Sequence, residues 1–253
     1  MDKNVTISNN LIFGKFKLLK KIGEGSFGQV YSGINEKTKE PVAIKLEPKS
    51  LSLNYLKSEA IYLFMLKGVG IPALKAFGTN KKYNILVQSL LGDSLSSILE
   101  KYKSISLKDT LMIAIQVIER LEYIHSKSLI HRDVKPGNFL IGREDPYIIY
   151  LIDFGLTKKY RSARTGKHVK YKVTKYYNGT FMFGSVNSLK GIEVSRRDDL
   201  ECAAYMFIYL MKGTLPWASV KGKNKLEKYE KLIKMKQSYK PEELCVNLPM
   251  EIM

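Results

Sequence analysis

Two short stretches hold residues whose types and spacing could do chemistry together. His131–Leu140 reads HRDVKPGNFL, and Leu151–Gly155 reads LIDFG. Asp133 and Asp153 each close an apolar segment, and Asn138 stands five positions after Asp133. Two carboxylates and an amide are oxygen donors of the kind Mg²⁺ accepts. A carboxylate beside a hydroxyl can also take its proton. Taken singly, each of these residues could equally be a turn residue.

Two further stretches suit a phosphate ligand. Gly23–Val30 reads GEGSFGQV, with glycines between two strand-like runs. A dinucleotide fingerprint would instead open a helix. Glycines in a hairpin let backbone N–H groups come close to phosphates, and a purely structural glycine turn is the alternative. Lys45 lies in the apolar run VAIK, where its charge is costly unless paired. A ligand phosphate or Glu59 could pair with it, or its stem could snorkel at a strand edge.

These residues need elements to position them. FKLLKKIGEGSFGQVYSGI alternates and breaks at glycines, while PVAIKLE and YNILVQSLL are runs of strand length. LNYLKSEAIYLFMLKG repeats apolar residues at helical spacing and ends in glycine. The first ~90 residues thus read as a small sheet with one helix. Beyond LLGDSL the pattern turns helical. SLKDTLMIAIQVIERLEYIHSKSL is the clearest helix, with Ser106 and Asp109 at its start. Leu111, Ile115, Ile118, Leu121 and Ile124 form its expected apolar stripe. RRDDLECAAYMFIYLMKG is apolar nearly all round and should be central, and NKLEKYEKLIKMK is a third helix. The class is α+β: a β-rich part, a connector near Leu90–Asp93, and a larger helical part.

Composition narrows the setting. The 253 residues are 45% hydrophobic, enough for a packed core. Lys+Arg number 42 against 24 Asp+Glu, a net charge of +18. Such a chain should attract anions, whether nucleic acid, a membrane surface, phosphates or acidic proteins. Neither of the two cysteines, Cys202 and Cys245, suggests a disulfide framework. The N-terminus lacks signal-peptide order, and no apolar run approaches the ~18–20 residues of a membrane span. A reduced intracellular compartment, cytoplasm or nucleus, is expected.

In their order along the chain the four stretches match the protein-kinase signature set. The finer spelling resembles the casein kinase I family of Ser/Thr protein kinases. It lies in YIHSKSLIHRDVKPGNFLIG, IIYLIDFGLTKKYRSART, GSVNSLKGIEVSRRDDLE and GTLPW. Ser185-Val186-Asn187 is similar to the S-I-N of that family, where most kinases carry A-P-E. The resemblance runs from about Phe13 to Glu251. It implies one kinase domain over residues 1–253, of bilobal kinase fold. A small antiparallel β-sheet lobe with one helix would span about 13–90, and a larger, mainly helical lobe about 92–253.

The resemblance implies ATP and Mg²⁺ as cofactors and a phosphotransferase acting on protein Ser/Thr. By it, Ile22, Gly23, Gly25, Ser26 and Gly28 cover the phosphates, and Val30 and Ala43 pack on the adenine. Lys45 holds the α/β-phosphates and pairs with Glu59, although a register with Ser58 in that place can also be drawn. Leu90 and Leu91 match the hinge. Asp133 matches the catalytic base, Lys135 the γ-phosphate contact, and Asn138 and Asp153 the Mg²⁺ ligands. Asp199 matches the aspartate that braces the catalytic loop. Arg132, Lys158 and Lys175 match one anion site; Lys225 and Lys228 fall at another.

Several positions depart from the family. Gln88 replaces a large apolar residue at the back of the nucleotide pocket, and Gly137 replaces an aspartate. Met182, in TFMFGS, stands where an arginine helps bind a primed substrate's phosphate. The expected enzyme therefore prefers acidic or phosphorylated proteins and leans less on priming. The family's domain continues through two further helices. By that comparison the terminal helices are missing here, exposing apolar surface that a partner could cover. The expected protein is a monomer with no specific nucleic-acid partner and no membrane anchor. A kinase-fold scaffold without activity is the alternative, against which Lys45, Asp133, Asn138 and Asp153 are all retained.

Overall fold

A computed structural model describes residues 11–25, 28–51, 54–173 and 180–250. The chain divides into two compact units, Met1–Gly92 with Asp153–Gly155, and Asp93–Ile152 with Leu156–Met253.

The first unit is a five-stranded antiparallel sheet with one helix. Strands β1 (Phe16–Gly25), β2 (Gly28–Asn35), β3 (Pro41–Pro48), β4 (Leu74–Thr79) and β5 (Tyr83–Ser89) lie in the order β1-β2-β3-β5-β4. The two-residue period of a strand sorts β3 cleanly. Val42, Ile44 and Leu46 point into a core with Phe16, Tyr31, Ile85 and Val87. Ala43, Lys45 and Glu47 take the other face, opposite Gln88, Leu86 and Asn84 of β5. The β1–β2 hairpin requires glycine at Gly28, where φ is +156° and a Cβ would lie 2.1 Å from the Leu46 carbonyl oxygen. β4 is an edge strand that apolar alternation did not announce.

Helix α1 (Tyr55–Met65) has no side-chain cap from Asn54. Instead the Glu47 carboxylate accepts the Leu56 N–H at 3.0 Å and an Asn84 amide hydrogen bond at 2.8 Å. A carboxylate at the positive end of the helix satisfies an orphan donor and the dipole together. α1 stops at Leu66, which is extended, short of the glycine that the sequence suggested as its end.

The second unit is mainly helical: α2 (Leu95–Tyr102), α3 (Leu107–Ser126), α4 (Val186–Leu189), α5 (Arg196–Lys212), α6 (Lys225–Ser238) and α7 (Pro241–Leu244). Two short ladders support its loops, β6 (Leu129–Ile130) with β9 (Lys158–Lys159), and β7 (Phe139–Ile141) with β8 (Ile149–Leu151). Ser106 caps α3 through the Asp109 N–H, as its spacing implied. The expected apolar stripe is corrected. Ile115 and Ile118 are 60% and 48% exposed, and the buried face runs through Ala114, Val117, Leu121 and Ile124. α3 is apolar on two sides, and the side with small and β-branched residues allows close packing on α5. α5 is deeply buried, with Met206 and Leu210 fully covered, and ends at Gly213 in the left-handed region.

Candidate active site

In the first unit, β3 and α1 bring Lys45 and Glu59 together, with Lys45 Nζ 2.6 Å from Glu59 Oε1. Glu59 is 2% exposed, whereas the Ser58 hydroxyl turns back to the Asn54 carbonyl. Burial pulls the Lys45 ammonium down, but the charges of Glu59 and Asp153 outweigh it and hold it above its ordinary value. Burial pushes Glu59 up, and the neighbouring Asp153 and Glu47 charges add to this against the pull of Lys45. One ammonium thus stands with two carboxylates, Glu59 and Asp153, an arrangement that favours a further cation.

Asp153 holds φ at +65°, uncommon for a residue with a side chain and typical of a functional turn. Gly25, Gly28, Val30, Lys45, Glu59 and Asp153 line one cleft. Its glycine hairpin, ammonium and carboxylates form a donor set that fits a nucleotide phosphate with a divalent cation. Ala43 is buried opposite Gln88, whose Oε1 is buried and has no hydrogen-bond partner among the described residues. Leu90 and Leu91 follow β5 and are half-buried, while Ile22 is 49% exposed on β1. Ser26 lies outside the described residues.

In the second unit the stretch His131–Asn138 is a loop pinned at both ends. Ile130, Val134 and Phe139 are buried and anchor it. Asp199 of α5, 2% exposed, takes the His131 N–H on Oδ2 at 2.8 Å and the Arg132 N–H on Oδ1 at 2.9 Å. That grip holds Arg132 at a φ of +74°. The His131 ring donates from Nε2 to the Ile152 carbonyl and accepts the Asp133 N–H on Nδ1. Pro136 opens a single 3₁₀ turn that ends at Asn138.

Four polar groups meet at Asp133. Lys135 Nζ donates to Oδ2 at 2.6 Å, and Asn138 Nδ2 donates to Oδ2 at 3.2 Å and to the Asp133 carbonyl at 2.8 Å. Thr180 donates to Oδ1 through its N–H and its hydroxyl, and Lys135 also reaches the Thr180 hydroxyl at 2.9 Å. Burial alone would raise Asp133. The Lys135 charge and hydrogen bond, followed by His131 and Thr180, instead hold it below the usual carboxylate range. The result is an ionised, oriented carboxylate that can accept a hydroxyl proton. With its nitrogen committed to Asp133, Asn138 keeps its amide oxygen for a cation.

The protein kinase domain family model matches residues 16–249. The chain belongs to the protein kinase family. It is a phosphotransferase domain with an antiparallel β-sheet N-lobe and a helical C-lobe. The family generally uses ATP and Mg²⁺ and acts on proteins. Among the described residues no helix of this kinase is long and apolar enough to cross a membrane.

The basic residues assigned to anion sites are placed differently from a shared open pocket. Arg132 Nη1 donates to the Leu156 carbonyl at 3.1 Å. Lys158 pairs with Glu193, which Lys172 also approaches. Burial would raise Glu193, but hydrogen bonds and charge from these two lysines hold its carboxyl low. Lys228 Nζ stands 5.7 Å from the centre of the Phe181 ring. Lys175 and the side chain of Lys225 lie outside the described residues.

Sequence reasoning passed over Thr180 and Glu47. Thr180 sits in the GTF run just before Met182, and Glu47 is an acid two residues beyond Lys45 on the same strand face. That spacing was the available signal for Glu47.

Proposed function

We propose that this kinase is a Ser/Thr protein kinase of the casein kinase I type, transferring the γ-phosphate of ATP to hydroxyls of acidic proteins. The single observation that carries the reading is the Asp133–Lys135–Thr180 cluster. It combines an ionised base with a lysine bonded to both it and the threonine. In this reading Asp133 takes the hydroxyl proton as the phosphoryl group transfers, and Lys135 neutralises charge on that group. Lys45, held by Glu59, grips the α/β-phosphates. Asp153 beside Lys45, and Asn138 beside Asp133, are the oxygen donors that would serve Mg²⁺, which would supply charge neutralisation across the phosphates. The glycines of the β1–β2 hairpin, with Ile22, would cover the nucleotide. Val30, Ala43, Leu90 and Leu91 hold the adenine.

Preference for acidic over primed substrates rests on charge. The net charge of +18 draws anionic polypeptides as a diffuse field. Against this, Lys158 shares the Glu193 carboxylate with Lys172, Arg132 gives one N–H to the Leu156 carbonyl, and Lys228 stands near the Phe181 ring. Among the described residues, each cation assigned to a discrete phosphate site thus has another contact. We also place the protein in the cytoplasm or nucleus, which its two unpaired, buried cysteines support.

The test is peptide kinetics with phosphoamino-acid analysis of the product. Acidic peptides should be phosphorylated on serine or threonine, and a phosphoserine three residues upstream of the target should change kcat/KM by less than about threefold, a rim-charge effect. A tenfold or greater gain from priming contradicts the reading, as does phosphotyrosine as the main product.

A further inference from the structure

Lys236, on α6, is 4% exposed, and among the described residues no carboxylate touches it. Its Nζ donates to the Gly184 carbonyl at 2.6 Å and to the Met182 carbonyl at 3.2 Å. It also stands 4.1 Å from the centre of the Tyr205 ring and 4.6 Å from that of Trp217. Trp217 itself donates to the same Met182 carbonyl at 2.8 Å. Burial pulls this ammonium down to about 8, and Cys202 and Glu201 offset that only in part. A buried charge without a carboxylate partner is an expensive way to fill a core, so its two acceptors call for a reason.

Those acceptors lie in the turn that carries Thr180. The Gly184 N–H donates to the Thr180 carbonyl at 3.0 Å, and the Phe183 N–H does so at 3.2 Å. Thr180 in turn donates twice to Asp133 Oδ1 and accepts from Lys135. A continuous run of hydrogen bonds thus links Lys236 on α6 to the base, through the 180–184 turn. On its far side the turn leads into Ser185, whose hydroxyl donates to Asp198 of α5 at 2.7 Å. The Phe181–Tyr229 ring contact holds the helix against the turn.

We propose that Lys236 is a positioning residue: by fixing the Met182 and Gly184 carbonyls it holds Thr180 on Asp133 and so orders the segment that receives the protein substrate. This rests on the kinase reading for its activity consequence, but not for its structural one. Lys236 touches neither nucleotide nor base. It acts on the substrate side of the reaction, through one turn.

Two readouts test it in the whole chain. The first is amide hydrogen exchange on wild type and Lys236→Met. The variant should lose protection across residues 180–184 while residues 131–139 change less; unchanged protection at 180–184 overturns the proposal whether or not the chain transfers phosphate. The second is a double-mutant cycle with Thr180→Ala. Lys236→Met should lower kcat/KM for an acidic peptide about tenfold, the scale of one lost charge-assisted hydrogen bond. Nucleotide Kd should stay within about twofold, and the further loss in the Thr180→Ala background should be small. Equal losses in both backgrounds, or a parallel loss of nucleotide binding, overturn it. Should Lys236→Met fail to fold, Lys236→Leu, which also lacks an N–H donor, replaces it with the same outcomes.

Discussion

Asp133 shows how one residue's neighbours set its chemistry. Burial works against its charge, and Lys135, His131 and Thr180 overcome that cost. Its folded pKa lies below the ordinary value of 3.8. The stabilisation from its ionised form is therefore complete above that value and fades only as pH falls through the folded pKa. At neutral pH the Asp133 carboxylate stays ionised, and its protonation sets the acid limb of the pH profile, well below neutrality. Removing the Lys135 charge, the strongest of the three, shifts the balance back toward the protonated form. Lys135→Met should move the acid limb of kcat/KM to higher pH as well as lowering kcat, and a pH–rate profile of both proteins checks this. An acid limb that stays in place would show that Lys135 does not hold the Asp133 proton off. Asp133, Lys135, Asn138 and Asp153 were legible because each is a polar residue set at a fixed offset in an apolar context. Thr180 was not, since a threonine among aromatic residues carries no such contrast.

At the scale of elements, α1 depends on a residue outside itself. Asn54 provides no side-chain cap, and Glu47 on β3 supplies one to the Leu56 N–H. Because α1 carries Glu59, that cap also bears on the pair with Lys45. Glu47→Ala should cost about 1–2 kcal/mol, the loss of a cap plus an orphaned donor, and weaken nucleotide binding. Thermal unfolding and nucleotide titration measure both. A variant as stable as wild type would contradict the assignment. Element existence was readable from periodicity: the strands of VAIK and YNILVQS, and helices α1, α3, α5 and α6. What periodicity missed is instructive. α3 offers two apolar sides, and only packing on α5 decides that Ala114 and Val117 go inside while Ile115 and Ile118 stay out. α1 ends at Leu66 because the chain turns extended there, a tertiary choice that no glycine marks.

For the whole molecule, two units divide the chemistry. One holds Lys45, Glu59 and Asp153 on a sheet and its helix; the other holds Asp133, Lys135, Asn138 and Thr180 on a loop braced by Asp199. The family match spans residues 16–249 and so covers both. The net charge of +18 gives the chain as a whole an attraction for anions. The most direct measurement incubates the purified chain with Mg²⁺, labelled ATP and an acidic protein such as casein, beside an Asp153→Ala control. Transfer of label to serine or threonine by the wild-type chain, with at least a hundredfold drop in the control (about 2.7 kcal/mol of lost transition-state stabilisation), is the predicted result. Transfer no greater than the Asp153→Ala control would contradict it.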